Sequence, residues 1–78
     1  MTEKEQIEFI KNIREIFEEI DTSSFNHKTR FKDNDEWDSM CALNLIALLD
    51  EKYNVAINGN QISNINNIEE LIYFIENE

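Results

Sequence analysis

Residues 38–53 read DSMCALNLIALLDEKY and decide the fold. The stretch predicts a long helix that begins at Asp38 or Ser39, because aspartate is a favoured N-cap residue and apolar residues then recur as far as Tyr53. Asn54 suits the left-handed residue that ends a helix. The predicted helix is apolar around most of its circumference, so it either lies at the centre of the fold or keeps an apolar strip for a partner.

A second long helix precedes this stretch. Thr2 followed by Glu5 is a capping-box pattern, and seven apolar residues then recur at helical spacing as far as Ile20. We expect this helix to end near residues 21–24, where short polar side chains compete for the backbone. Residues 21–37 then form a long loop, and some of its three aromatic residues would pin it to the core: Phe25, Phe31 and Trp37.

Two shorter helices follow the central stretch. Ile62 and Ile65 allow one short helical turn, and Asn67 with Glu70 gives a second capping pattern. A final helix then carries one apolar face, formed by Ile68, Leu71, Ile72 and Ile75. The order predicts an all-α fold, a four-helix bundle with a long loop between helices 1 and 2 and a short third helix, in a single domain that covers residues 1–78.

Composition narrows the function. The chain has 17 acidic and 7 basic residues, a net charge of -10, so we expect partners with basic surfaces and no nucleic acid. A single cysteine and a single histidine exclude an internal disulfide framework and a two-histidine metal motif. We expect no membrane span, because no apolar run approaches roughly 18 residues, and the missing signal pattern favours a cytoplasmic protein. We also expect a monomer.

Three interpretations that assign a chemical role to particular residues are weak. Asp33, Asp35 and Asp38 invite a calcium loop, but the EF-hand glycine and the closing glutamate have no counterpart at the required places. Cys41 would be a nucleophile if the start of its helix lowered the thiol pKa, although a small packing side chain is the simpler interpretation. His27 is an isolated loop histidine. We therefore expect no enzymatic activity and no metal site.

Ser39 is the remaining candidate. It follows a capping aspartate at the start of a long helix, where a phosphate ester would face free backbone N–H groups and the positive end of the helix dipole. An Asp-Ser-apolar sequence at a helix start is by itself a weak signal, because a helix-start serine is common.

The surrounding sequence makes the signal specific. Asp38-Ser39-Met40, at the start of the second helix of a small acidic four-helix domain, resembles the acyl carrier protein family, which also includes peptidyl and D-alanyl carrier domains. The resemblance covers essentially the whole chain and is most specific over residues 36–75. It includes the stretch 50–57 and the apolar spacing of the predicted helices, at Leu45, Leu49, Tyr53, Ile62, Ile65, Ile68, Leu71, Ile72 and Ile75.

The resemblance implies a cofactor carrier. A phosphopantetheinyl transferase would use coenzyme A and magnesium to attach phosphopantetheine to the Ser39 hydroxyl, and the terminal thiol of this arm would hold acyl groups as thioesters. Asp38 would cap the helix and help to position the serine. The family docks on basic patches of acyl-loading and acyl-using enzymes through the surface of its second helix, which corresponds here to Met40, Leu43, Asn44, Ala47, Asp50 and Glu51.

The pathway stays open at this point. The family usually has acidic residues soon after the serine, whereas this chain has Cys41, Ala42 and Asn44, which favours a specialised carrier in a lipid, polyketide or acyl-transfer pathway. A housekeeping carrier of fatty-acid synthesis is the first alternative. A cofactor-free acidic module that binds basic partners is the second, and the composition fits it equally well.

Overall fold

The computed structural model describes residues 1–77 and contains four helices in this range. Helix α1 covers Glu3–Arg14, α2 covers Ser39–Tyr53, α3 covers Gly59–Ser63 and α4 covers Ile68–Glu76. The described residues include no strand. The predicted all-α fold, with a long loop after the first helix and a short third helix, is therefore confirmed.

Short polar side chains fix where the helices begin. Thr2 and Glu5 form the predicted capping box of α1, and the Asp38 carboxylate caps α2. Asn67 caps α4 by accepting a hydrogen bond from the backbone N–H of Glu70 at 2.8 Å. Each cap accepts a backbone N–H that the first turn of a helix leaves without a partner, and so the starts of these helices can be read from local sequence.

Helix α1 is shorter than the sequence predicts. It ends at Arg14 rather than near residues 21–24. The backbone forms a tighter turn there, in which the N–H of Ile16 donates to the carbonyl of Ile13, three residues earlier, at 3.0 Å. The N–H groups of residues 18–20 donate instead to an acceptor that is distant in sequence, the carboxylate of Glu36. A long-range contact thus replaces the helical hydrogen bonds that the apolar spacing predicted.

The core draws on all four helices. Phe9 of α1, Leu45 and Leu49 of α2, and Leu71 of α4 are fully buried, and Ile62 of α3 is buried beside them. The apolar residues of α2 are not all buried, because Met40 and Leu43 remain 62% and 59% exposed. Both interpretations of this helix therefore hold: one face is central to the fold and another keeps apolar side chains at the surface.

The loop after α1 is held in place along its length. Phe31 is buried, and its ring packs edge-on against Trp37 with 5.4 Å between the ring centroids. The carbonyls of His27 and Thr29 accept the backbone N–H groups of residues 69 and 68 at the start of α4, at 2.7 and 3.1 Å. The predicted pinning of the loop by its aromatic residues is confirmed, and backbone hydrogen bonds to α4 reinforce it.

Within the described range, none of the helices combines the length and the apolar character that a membrane crossing requires.

Replacement of Leu49 tests the orientation of α2. Leu49→Ala should lower the free energy of unfolding by about 2–5 kcal/mol, because a fully buried leucine leaves a cavity when it is truncated. Leu43→Ala, on the same helix but largely exposed, should change it by less than about 0.5 kcal/mol. Urea unfolding measures both values, and equal losses in the two variants would mean that the helix faces the core differently.

Candidate functional site

Ser39 is the first residue of α2 and is exposed. Just before it, the Asp38 carboxylate accepts a hydrogen bond from the N–H of Cys41 at 3.0 Å, and the Asp38 carbonyl accepts one from Ala42 at 3.1 Å. These two bonds fix the first turn of the helix around the serine. The predicted capping role of Asp38 is therefore present in the structure.

The first turn of α2 differs from that of the other long helices. The first turns of α1 and α4 each contain two glutamates, whereas the first turn of α2 contains no acidic residue. The Asp38 carboxylate nevertheless lies at this helix start and already accepts the N–H of Cys41. The helix dipole favours an anionic group on Ser39, whereas the carboxylates that line the adjacent cavity, among them Asp35 and Glu36, oppose it.

A carboxylate clamp holds the segment before Ser39 against residues 18–20, in the loop that follows α1. The Glu36 side chain accepts three successive backbone N–H groups, from Glu18 at 2.7 Å, Glu19 at 3.0 Å and Ile20 at 3.1 Å. These hydrogen bonds, led by the one from Glu18, lower the pKa of the Glu36 carboxyl. We call the three bonds the Glu36 clamp.

A second polar contact stiffens the same segment. The side-chain oxygen of Asn34 accepts hydrogen bonds from the N–H groups of Glu36 at 2.9 Å and Trp37 at 3.0 Å. Its amide nitrogen donates to the carbonyl of Phe31 at 2.7 Å. Residues 34–38 thus reach Ser39 as a defined turn rather than as a free chain.

The clamp brings residues 18–20 next to the start of α2, and an open cavity of about 380 Å³ lies between the two segments. Its lining includes carboxylates from both segments, among them Glu18 and Glu19 from the turn after α1. The sequence does not predict this neighbourhood, because its apolar spacing places residues 18 and 19 inside a continuous helix. That spacing carries no signal that could have revealed the turn.

Cys41 is not a nucleophile in this structure. Its side chain is 5% exposed and its thiol donates a hydrogen bond to the Glu36 carbonyl at 3.4 Å. Burial is the main cause that raises the pKa of the thiol, so the reactive thiolate is disfavoured. The hypothesis of a lowered thiol pKa at the helix start is therefore wrong, and Cys41 packs in the core.

The predicted partner-binding residues all lie at the surface. The exposed positions on α2 follow helical spacing along one side of the helix. We call this set the docking face: Met40, Leu43, Asn44, Ala47, Asp50 and Glu51. Its two large apolar side chains, those of Met40 and Leu43, lie closer to Ser39, and its two carboxylates lie at the far end of the helix.

The residues of the calcium hypothesis do not come together as ligands. Asp33 binds the guanidinium of Arg30 instead, with 2.6 Å between Nε and Oδ2. Across residues 1–77, no group of three or more histidine, cysteine, aspartate and glutamate side chains is placed to hold a metal ion. His27 is exposed and contributes its backbone carbonyl to the contact with α4.

Comparison with known proteins finds a curated relative of this chain. The chain is 33% identical over 57 residues to the acyl carrier protein of Phytoplasma australiense, a match that covers 73% of this chain and 75% of that protein. No family model matches the chain. No solved structure matches it either. The extent of the match shows that the chain belongs to the acyl carrier protein family.

The Glu36 clamp should contribute to stability at neutral pH. Glu36→Ala should lower the melting temperature more than Asp35→Ala, because both variants lose one negative charge but only the first loses the three hydrogen bonds. Thermal unfolding followed by circular dichroism measures both. Equal melting temperatures in the two variants would show that the clamp adds nothing.

The contribution of the clamp should also depend on pH. Since folding lowers the pKa of Glu36, its stabilisation is present above the ordinary glutamate value of about 4.3 and is lost as the pH falls through the lowered value. The difference in melting temperature between the wild type and Glu36→Ala should therefore narrow on acidification below about pH 4. A difference that stays constant would contradict the assignment.

Proposed function

We propose that Ser39 carries a covalent phosphopantetheine arm and that the protein uses this arm to hold and present acyl groups. The observation that carries the proposal is the exposed position of Ser39 as the first residue of a capped long helix. Membership of the acyl carrier protein family supports the same role. When bound, the arm supplies a terminal thiol that forms thioesters with acyl groups.

Attachment of the arm requires a phosphopantetheinyl transferase, with coenzyme A as donor and magnesium. The Ser39 oxygen forms a bond to the phosphorus that carries the pantetheine, and the bond from that phosphorus to the adenosine bisphosphate part of coenzyme A breaks. The hydroxyl proton passes to a base of the transferase. This chain contributes an accessible hydroxyl and the geometry around it.

The helix dipole of α2 favours a phosphodiester on Ser39. The new negative charge would lie at the positive end of the helix, and the exposed position of Ser39 keeps that charge in water, which screens it from the neighbouring carboxylates. The nearby Asp38 carboxylate already accepts the N–H of Cys41, so it acts as the helix cap and holds the serine at the start of the helix. Asp38 therefore positions the attachment site without contributing a reacting atom.

The chain itself acts as a carrier and not as an enzyme in this proposal. Its thiol is buried with a raised pKa, and its histidine lies on the exposed loop between α1 and α2. The acyl chemistry belongs to the partner enzymes that load the arm and use its cargo. The protein provides the tether and the surface that those enzymes recognise.

Partner enzymes would bind the docking face. Met40 and Leu43 supply exposed apolar contacts close to Ser39, and Asp50 and Glu51 supply negative charge at the far end. The net charge of -10 favours partners with basic patches and should raise their association rates by electrostatic steering. Such partners include the transferase and the acyl-loading and acyl-using enzymes.

The pattern of the docking face favours a specialised carrier. Its middle part carries Asn44 and Ala47 instead of acidic residues. Binding there would depend more on apolar contact and less on charge, which suits one or a few dedicated enzymes in a lipid, polyketide or acyl-transfer pathway. A housekeeping carrier of fatty-acid synthesis is the second candidate.

The attachment of the arm can be tested directly. After incubation with coenzyme A and a broad-specificity phosphopantetheinyl transferase, the wild type should gain the mass of one phosphopantetheine, and Ser39→Ala should gain none. Ser24→Ala, which removes an exposed loop serine, should be modified like the wild type. An unmodified wild type would contradict the carrier proposal and favour the cofactor-free acidic module.

A second experiment tests the docking face. Leu43→Ser should raise the KM of the transferase for the carrier roughly three- to tenfold, because a central apolar contact of an interface typically contributes about 1 kcal/mol or more. Ile7→Ser is the matched control, because Ile7 on α1 is 64% exposed and Leu43 is 59% exposed. Equal KM values in the two variants would place the partner surface elsewhere.

A further inference from the structure

We propose that Glu36 is a positioning residue for Ser39, because its carboxylate holds the entrance of α2 in the conformation that the transferase recognises. The inference rests on the proposed attachment of the arm to Ser39. It adds a residue outside the Asp-Ser-Met sequence and outside the docking face, and it connects the attachment site to residues 18–20 in the loop after α1.

The clamp is a strong contact for so small a domain. One side chain accepts three backbone N–H groups, and both of its oxygen atoms take part: one accepts from Glu18 and the other from Glu19 and Ile20. Hydrogen bonds to an ionised acceptor are about twice as strong as those between neutral groups. The three donors lie 16–18 residues before Glu36 in the chain, so the clamp joins two segments that are distant in sequence.

Further hydrogen bonds connect Glu36 to the first turn of α2, where Ser39 lies. The backbone carbonyl of Glu36 accepts the thiol of Cys41, and the N–H of Cys41 donates to the carboxylate of Asp38. Ser39 lies between Asp38 and Cys41 in the chain. The first turn of α2 is therefore connected to Glu36 by side-chain contacts as well as by the two intervening residues.

Ser39 itself is exposed and depends on its neighbours for its position. Without the clamp, residues 34–38 would keep the Asn34 turn and the packing of Trp37 on Phe17 and Phe31. They would lose their hydrogen bonds to residues 18–20. We expect the segment to sample other conformations, so that only a fraction of the molecules presents Ser39 correctly.

Loss of the Glu36 clamp should affect KM and kcat of the transferase differently. If the transferase binds only the correctly held conformation, the apparent affinity falls by the fraction of molecules in that state. Bound molecules all have the correct conformation, so the turnover number stays the same. Loss of the clamp should therefore raise KM and leave kcat unchanged, whereas lower overall stability alone would change neither constant well below the melting temperature.

The test compares two variants that each neutralise one carboxylate in adjacent positions. Glu36→Gln keeps the length of the side chain but gives up the charge and one of the two accepting oxygens, and Asp35→Asn loses the same charge without touching the clamp. Initial rates with coenzyme A and a broad-specificity transferase should show a KM about three- to tenfold higher for Glu36→Gln than for Asp35→Asn, with similar kcat values. Equal KM values for the two variants would overturn the proposal.

Hydrogen exchange provides a second measurement that does not depend on the transferase. The amide protons of residues 18–20 should be protected in the wild type and in Asp35→Asn, and should exchange markedly faster in Glu36→Gln. Unchanged protection in Glu36→Gln would also overturn the proposal. If the wild type gains no arm at all, the proposed function fails; if the wild type and both variants are modified with equal KM, only the role of Glu36 fails.

Discussion

The Asp38 cap is the interaction on which this structure depends, because one face of α2 must be buried in the core while the helix begins in water. Leu45 and Leu49 anchor the helix in the core, while Ser39, one residue after the cap, is exposed. The hydrogen bond from the N–H of Cys41 to the Asp38 carboxylate stops the helix from extending further back along the chain. A helix that is anchored in the core on one face and starts abruptly in solvent gives the serine a defined and accessible position.

Local chemistry makes much of this fold predictable. The starts of α1, α2 and α4 follow from Thr2, Asp38 and Asn67, whose side chains accept N–H groups only three residues away. The left-handed residue that ends α2 is likewise predicted at Asn54, where φ is 55°. Features that depend on contacts between near neighbours in the chain can therefore be predicted from the sequence alone.

The end of α1 cannot be predicted in the same way. The apolar spacing from Ile7 to Ile20 continues past Arg14, where the helix stops. Phe17 is buried, and Ile16 and Ile20 pack partly against the core, although none of the three lies in a helix. The deciding contact comes from Glu36, which is 16 or more residues away. The candidate site follows the same division: Asp38 and Ser39 are predicted from a local motif, while the approach of residues 18–20 to the site requires the folded chain.

The central claim is that Ser39 is the residue that carries the arm in the living cell. The most direct measurement is the mass of the protein purified from its native host, followed by fragmentation of the peptide that contains residue 39. The account predicts a phosphopantetheine ester on Ser39, with or without an acyl group on its thiol. A native protein with an unmodified Ser39, or with the arm on another residue, would contradict it.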